Sequence, residues 1–442
     1  MQLCATVFGF RLSTRLVDGS KGLTTARASA KTRTHLEETV PPPAFPVPAI
    51  TRVILKNFKS IEGCDVKLAP MTMLVGPNGS GKSNFIDGLR LTSDAMNSTL
   101  ENAIRERGGI NDVRRRSRGH PTHFGVRIDV DLGSNANGFY AYQIAARKNQ
   151  TLEVQREECR VLSHETSAAY FTVESGKVRW SLSEIRPPSV KANALALPLL
   201  SGEPAFSQIF QLLSNIGYYS LNLDRVRELQ STDPGNLLNR DGSNLASVIR
   251  NTAEHSPDTL KRITEYLAAV VPGIQAIQAR ALGPMETIEF RQDVLGDKNP
   301  WRYLASSVSD GTLRALGVLT AAFQLGSSAS GIPLVAIEEP EIAIHPGAAL
   351  RLMDALIEAS RRRQLLLTTH SPDLLDHPQL DVDSVIAVQA ERGTSRLGPV
   401  EATTKEAVRE NLYTVGELLR LEQVRPDDIF ALRQWPQLKL FE

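Results

Sequence analysis

The chain has 442 residues, 41% of them hydrophobic, and a formal net charge of +1. That is enough apolar material for one large or roughly two to three ordinary domains, and the near-neutral balance excludes a global attraction to nucleic acid, so any DNA contact must come from a local basic patch. Cys4, Cys64 and Cys159 stand too far apart for a disulfide framework or a CxxC metal site, and no apolar run reaches the roughly 18 residues of a membrane span. A soluble protein of a reducing, cytoplasmic compartment is expected.

Residues 1–48 differ from the rest. Arg11, Arg15, Lys21, Arg27, Lys31 and Arg33 are set among Ser, Thr and Ala with one acid, Asp18, before Glu37, and a proline-rich stretch from Pro41 to Pro48 closes the segment. An organelle transit peptide has this composition; a disordered tail or an upstream-extended start is the simpler account. The fold is expected to begin near Ala49. Apolar residues Ile50, Val53, Leu55 and Phe58, then the stretch 65–75, predict strands running into a glycine-rich loop.

That loop is Gly76-Pro77-Asn78-Gly79-Ser80-Gly81-Lys82-Ser83, preceded by Met73-Leu74-Val75 and followed from Asn84 by an amphipathic helical pattern. Strand, loop and helix are the context a phosphate-binding P-loop needs. Its glycines let backbone N–H groups turn toward a polyphosphate, the helix adds its positive end, and Lys82 brings a charge to the β- and γ-phosphates. Ser83 is expected on Mg²⁺ and Asn84 beside it. These residues predict ATP and Mg²⁺ as cofactors.

Over 124–182, Val126, Ile128, Val130 and Leu132 alternate with charged residues, a Gly/Asn/Ser turn covers 133–138, and Tyr140, Tyr142, Ile144, Val178, Trp180 and Leu182 continue the alternation. An antiparallel sheet beside the nucleotide core follows. From 204 to 272 the period becomes helical, with Ser256-Pro257-Asp258 as an N-cap signal, and 285–291 returns to alternation. No internal repeat or sustained heptad argues for a long coiled-coil arm.

Ser309-Asp310-Gly311-Thr312 opens the helical pattern ending at Phe323 and presents a hydroxyl, a glycine and a helix N-terminus together. Leu334-Val335-Ala336-Ile337 then leads into Glu338-Glu339-Pro340-Glu341, acids at the C-terminal end of an apolar strand, where parallel sheets place ligands. By position Glu338 belongs near Mg²⁺, directly or through water since Glu is one methylene longer than the usual Asp, and Glu339 orients or deprotonates the attacking water. Leu365-Leu366-Leu367-Thr368-Thr369 ends in His370, read with Glu339 and Lys82 as catalytic and as a sensor of the γ-phosphate.

In this order the motifs resemble the ABC-type ATPases of the SMC, RecF and OLD group, OLD-like branch, with Ile54-Leu55-Lys56-Asn57-Phe58-Lys59-Ser60-Ile61 and His345-Pro346 adding to the likeness over about residues 50–420. The resemblance implies an α/β fold: an ABC-type P-loop ATPase head with an antiparallel β subdomain and a helical lobe. It divides the chain into a leader (1–48), an ATPase lobe (49–200), a helical lobe (201–300), a returning ATPase lobe (301–400) and a C-terminal helix and tail (401–442). It implies a head-to-head homodimer in which each ATP lies between the P-loop and acidic motif of one chain and the signature Ser309 to Thr312 of the other. Asp310 in place of the transporter glycine argues against a transporter subunit. The Q-loop glutamine is not placed; Gln143, Gln150 and Gln155 are the candidates.

OLD proteins carry a Toprim nuclease, but Asp381-Val382-Asp383 has no catalytic Glu-Gly before it and too little chain after, so it reads as a solvated loop and any nuclease as a separate Toprim-like partner in phage or plasmid defence or DNA repair. Basic clusters at Arg105, Arg107, Arg114 to Arg116 and Arg118, and at Arg361 to Arg363, suit DNA phosphates or solvated faces, and Arg361 to Arg363 suit a helix C-terminus. Gln437, Leu438, Leu440 and Phe441 match the pattern of peptides that dock on a sliding clamp, unless the tail folds back on its own domain. Two function classes remain: an ATP-hydrolysing switch controlling a nuclease or DNA partner, and a slow nucleotide-gated scaffold that holds and releases one.

Overall fold

Four short runs, Met71–Val75, Leu334–Glu338, Gln364–Thr369 and the first half of Val385–Glu391, have apolar side chains buried on both sides and set the architecture. In each run successive side chains go to opposite cores. Leu74, Leu334, Ala336, Leu366, Ile386 and Val388 join one apolar cluster, and Met73, Val75, Val335, Ile337, Leu365, Leu367 and Ala387 join the other. A continuous apolar run is what a parallel strand covered on both faces requires. The structure is a computed structural model and describes residues 48–116, 122–147, 151–163, 168–182, 188–297, 299–324, 331–427 and 438–442. The leader, Gln150, Arg118 and Gln437 lie outside them.

In chain order the strands are β1 (Ala49–Phe58), β2 (Ile61–Lys67), β3 (Met71–Val75), β4 (His123–Gly133), β5 (Ala136–Ala146), β6 (Leu152–Ser163), β7 (Ala169–Glu174), β8 (Lys177–Trp180) and β9 (Gly217–Tyr219). They continue with β10 (Gln230–Ser231), β11 (Ile274–Leu282), β12 (Met285–Gln292), β13 (Trp301–Leu304), β14 (Leu334–Glu338), β15 (Gln364–Thr369), β16 (Val385–Glu391) and β17 (Thr394–Pro399). The large sheet runs β8-β7-β6-β5-β4-β1-β2-β17-β16-β3-β15-β14-β9, and a small sheet holds β11, β12, β13 and β10. From β16 to β9 neighbours are parallel. From β8 to β2 they are antiparallel.

The α/β class expected from the sequence is found, with one refinement. The antiparallel strands continue the nucleotide-site sheet through the pairing of β17 with β2, at Ser395 and Ile61. Helices Lys82–Asn97 and Pro204–Ser214 bring Phe85, Leu89, Phe206 and Ile209 to one face, and helices Leu245–His255, Pro257–Val270, Asp310–Phe323 and Pro346–Ser360 cover the other. Ser256 does precede helix Pro257–Val270, but its hydroxyl makes no capping bond.

The C-terminal tail takes the folded-back course. Leu438 and Leu440 are buried beside Ile54, in a space left by Gly125, where a Cβ would come 2.2 Å from Leu440. Phe441 lies under the Arg156 guanidinium at 4.5 Å, and Glu442 accepts from Arg160 at 2.9 Å. The leucines expected to enter a clamp pocket are therefore occupied within the chain, which corrects the reading of a free docking peptide.

Glu157 on β6 is fully buried and accepts from Tyr140 Oη (2.8 Å) and from the backbone N–H groups of Ala196 (2.6 Å) and Leu197 (3.0 Å). Burial pushes its carboxyl up to about 7, against these hydrogen bonds. Between the ordinary 4.5 and about 7 the folded chain keeps a proton that the unfolded chain has lost. Its contribution to stability is therefore full below pH 4.5 and falls away as pH rises through 7, by on the order of 3 kcal/mol. Urea unfolding at pH 5 and pH 8 is expected to show this loss in the parent chain and a flatter dependence in Glu157→Gln; equal slopes would contradict it.

Candidate nucleotide site

Strand β3 ends where its neighbours leave almost no room. The N–H of Gly76 donates to Thr369 O on β15 at 3.4 Å, and a Cβ at Gly76 would fall 2.0 Å from Val388 O on β16. Gly79 (φ +76°) and Gly81 (φ +107°) take left-handed conformations that favour glycine, and a Cβ at Gly81 would fall 2.0 Å from Ser395 Oγ on β17. The loop Gly76 to Ser83 is thus pressed between two strand ends and the start of helix Lys82–Asn97. Pro77 and Asn78 are exposed on its crest, and Ser80 is buried with a hydroxyl that has no partner. An enclosed, unpaired donor in a glycine-rich loop at a helix start is what an anion would satisfy.

Lys82 curls back over this loop. Its Nζ donates to Gly76 O (2.8 Å) and Pro77 O (3.1 Å), and the side chain is buried. Burial lowers its pKa, while the carboxylates of Glu339, Glu341 and Glu338 act the other way. Asn84 donates to Ser60 Oγ at 2.6 Å, and Ser60 Oγ lies 2.6 Å from Ser395 Oγ, so Asn84 also ties the loop to β17. Ser83, Asn84, Arg90, Ser220, Arg240 and Glu338 line one cleft of about 230 Å³. Ser83 and Glu338, expected together at Mg²⁺, therefore face the same space.

Glu339 follows β14 in a left-handed conformation, φ +46°, which costs a residue with a Cβ about 1–2 kcal/mol. Its N–H is held by Thr368 O at 3.0 Å and Thr368 Oγ1 at 3.2 Å, and this fixes the turn. His370 Nδ1 lies 3.3 Å from Glu339 Oε1, both side chains partly open to solvent. Beneath them Glu341 is buried; its Oε1 accepts from Thr369 Oγ1 at 2.5 Å and its Oε2 has no partner. Burial pushes the Glu341 carboxyl up. Lys82, Glu338, Glu339 and His370 are thus brought together, with Glu341 as a further member that the sequence reading left without a role.

Ser309, Asp310, Gly311 and Thr312 stand apart from the P-loop in their bonding. Ser309 caps helix Asp310–Phe323, its Oγ accepting from Thr312 N at 3.2 Å and lying 2.9 Å from Thr312 Oγ1. Asp310 pairs with Arg227, and Gly311 packs against Ala343 O, which a Cβ would meet at 2.5 Å. Among the described residues none of these contacts reaches the P-loop of the same chain.

Several expectations change. Gln143 and Gln155 hydrogen-bond to each other on β5 and β6 at 2.7 Å, in the antiparallel part of the sheet. On the side of β14 away from β15 lies β9, which brings Tyr218, Tyr219 and, just after it, Ser220 to the cleft. Val382–Ser384 is a turn of 3-10 helix, not a loop, and Asp383 pairs with Lys405 (2.7 Å) and Arg409 (2.5 Å). The Arg107 side chain is enclosed and bonds Asp87 (3.0 Å) and Asp94 (2.7 Å), while Arg115 bonds Glu62 (2.8 Å) and Thr394 (2.7 Å), so these two act within the fold. Arg361 caps the C-terminus of helix Pro346–Ser360, in line with the sequence reading, whereas Arg363 is buried, its pKa lowered by burial to about 10.

Comparison with known proteins adds the following. The family described as AAA domain, putative AbiEii toxin, Type IV TA system, matches residues 71–376. A stretch of 42 residues is 48% identical to a DNA replication and repair protein RecF of Erwinia tasmaniensis, and 43 residues are 40% identical to that of Vibrio vulnificus. The first match covers 9% of this chain, the second 10%, and each spans 12% of the relative's own length. Among solved structures, an SMC head bound to the C-winged helix domain of ScpA aligns at 16% identity with a TM-score of 0.49, covering 82% of this chain and 100% of that one. An SMC head domain with an extended coiled coil, bound to the C-terminal domain of ScpA and derived from Pyrococcus furiosus, aligns at 13% identity with a TM-score of 0.48, covering 83% and 99%. Among the described residues no helix is long and apolar enough to cross a membrane.

The two glycine constraints differ in kind and predict different outcomes. Gly79→Ala meets only the conformational cost of its φ, since nothing lies within 4 Å, and should lower the melting temperature by a few degrees, for about 1 kcal/mol. Gly76→Ala must displace a backbone carbonyl and should abolish measurable nucleotide binding. A calorimetric titration in which Gly76→Ala binds ATP as the parent does would contradict the packing described.

Proposed function

The chain belongs to the AAA-domain family of that description, and from this premise we propose that it is an ATP-hydrolysing, ABC-type switch whose two copies close head to head on ATP and control a separate partner. The observation that carries the reading is Glu339, held in a left-handed turn by Thr368 with His370 at 3.3 Å, beside a buried lysine and an unpaired buried hydroxyl in the P-loop. On this reading the loop amides after Pro77 and the Ser80 hydroxyl receive the β- and γ-phosphates. Lys82 leaves the carbonyls of Gly76 and Pro77 for the phosphate oxygens. Glu339 accepts a proton from the attacking water, and the oxygen of that water bonds to the γ-phosphorus as the bond to ADP breaks. His370, beside Glu339, holds the γ-phosphate or the water in line.

The donor set fits Mg²⁺. Ser83 and Glu338 face one cleft, and among the described residues no group of three or more His, Cys, Asp or Glu side chains is placed to hold a metal. Magnesium is typically held by one or two protein oxygens together with substrate phosphates and water. When bound it would neutralise charge building on the phosphate oxygens.

The signature Ser309 to Thr312 bonds away from its own P-loop, which supports the reading that it serves the nucleotide of a second copy. We assign the partner to a Toprim-like nuclease or a DNA-directed protein in phage or plasmid defence or DNA repair. The toxin–antitoxin setting in the family's description suits the same role. Glu339→Gln should keep ATP binding within about threefold and lose hydrolysis by about a hundredfold or more; His370→Ala should lose about tenfold or more. Phosphate release at the parent rate from Glu339→Gln would sink the catalytic assignment.

A further inference from the structure

Arg314 lies one turn into the helix that Ser309 caps, and its side chain is enclosed at 8% exposure. Its Nε has no hydrogen-bond partner, and among the described residues it makes no ion pair. Buried arginines are ordinarily paired, as Arg107 is with Asp87 and Asp94. The carboxylates that act on Arg314 are those of Glu339, Glu341 and Asp310. Glu341 is the counterpart: 8% exposed, one oxygen held by Thr369, the other unpaired. Lys82 feels Glu339 and Glu341 as well. The helix start already lies against the turn after β14, where a Cβ at Gly311 would meet Ala343 O at 2.5 Å. Two cations, one from the P-loop and one from the signature helix, therefore share the carboxylates between them.

We propose that Arg314 is a positioning residue that carries the state of the phosphate site to the signature turn of its own chain. When phosphate draws Lys82 away, Glu341 is left to Arg314, and the two pair through the free Oε2. The signature helix, with Ser309 at its tip, is then tied to the turn after β14 that it already touches. Each chain would offer its signature to a second copy only when its own P-loop is filled. This inference rests on the reading of the site as ATP-binding and deepens it by naming an internal link between the nucleotide a chain holds and the surface it presents.

The test is amide hydrogen exchange of residues 309–318 in the full chain carrying Glu339→Gln, with and without ATP and Mg²⁺, alongside ATP affinity by calorimetry and solution mass. ATP should slow exchange in this segment by about tenfold. Arg314→Met should keep ATP affinity within about threefold and lose most of the slowing, Arg314→Lys should restore part of it, and Arg314→Met with Glu341→Gln should lose no more than either alone. If Arg314→Met fails to fold, Glu341→Gln reads the same link from the other side. Undiminished slowing in Arg314→Met, or in Glu341→Gln where only that variant folds, overturns the inference, as does a loss of ATP affinity as large as the loss of slowing. A parent that binds ATP with no change in exchange overturns it while leaving the ATPase reading intact; failure to bind ATP at all ends both. Slowed exchange with unchanged mass upholds the link and removes the head-to-head pairing.

Discussion

A carbon added at Gly76 would sit 2.0 Å from a backbone carbonyl of β16, and one added at Gly81 would sit 2.0 Å from the Ser395 hydroxyl of β17. That close approach fixes the P-loop in place, because a loop pressed against two strands cannot shift without moving the sheet. Everything at the site is referred to it. Lys82 reaches its carbonyls, Ser83 lines the same cleft as Glu338, and β15, which accepts the Gly76 N–H, delivers Thr368, Thr369 and His370 to the acidic turn. The β16 and β17 hairpin also carries the pairing that joins the antiparallel strands to the site.

Opposite charges are crowded across this frame, carboxylates outnumbering cations. Lys82 and Arg314 stand against Glu338, Glu339 and Glu341, most of them enclosed, and the ordinary cost of a buried unpaired ion is several kcal/mol. Glu341 in particular keeps one oxygen unpaired, with its carboxyl pushed up by burial. A polyphosphate would add negative charge at the point where Lys82 is held only by two carbonyls. On the proposed function its arrival redistributes the cations, giving the site two electrostatic states from one set of residues.

Legibility in the sequence followed locality. The P-loop, the acids after β14 and His370 after β15 are each contiguous with an apolar strand, so a short window contained both the chemistry and its context. Ser220 was missed because β9 has three residues, too few for a period to show, and its place beside β14 is a pairing across distant sequence. Glu341 was visible as part of an acidic run, but its burial and its bond to Thr369 on β15 bring together residues distant in the chain. Arg107 and Arg115 read as surface charge because Asp87, Asp94, Glu62 and Thr394 come from other elements. The tail was ambiguous for the same reason: Gly125, which makes room for Leu440, is far away in the chain.

The central claim is that two copies close over ATP with the signature of each completing the site of the other. Light scattering of Glu339→Gln with and without ATP and Mg²⁺, beside the same chain carrying Ser309→Arg, addresses it most directly. The account predicts that ATP doubles the mass and that Ser309→Arg prevents the doubling while leaving ATP bound. A mass indifferent to ATP, or a doubling that survives Ser309→Arg, would contradict it.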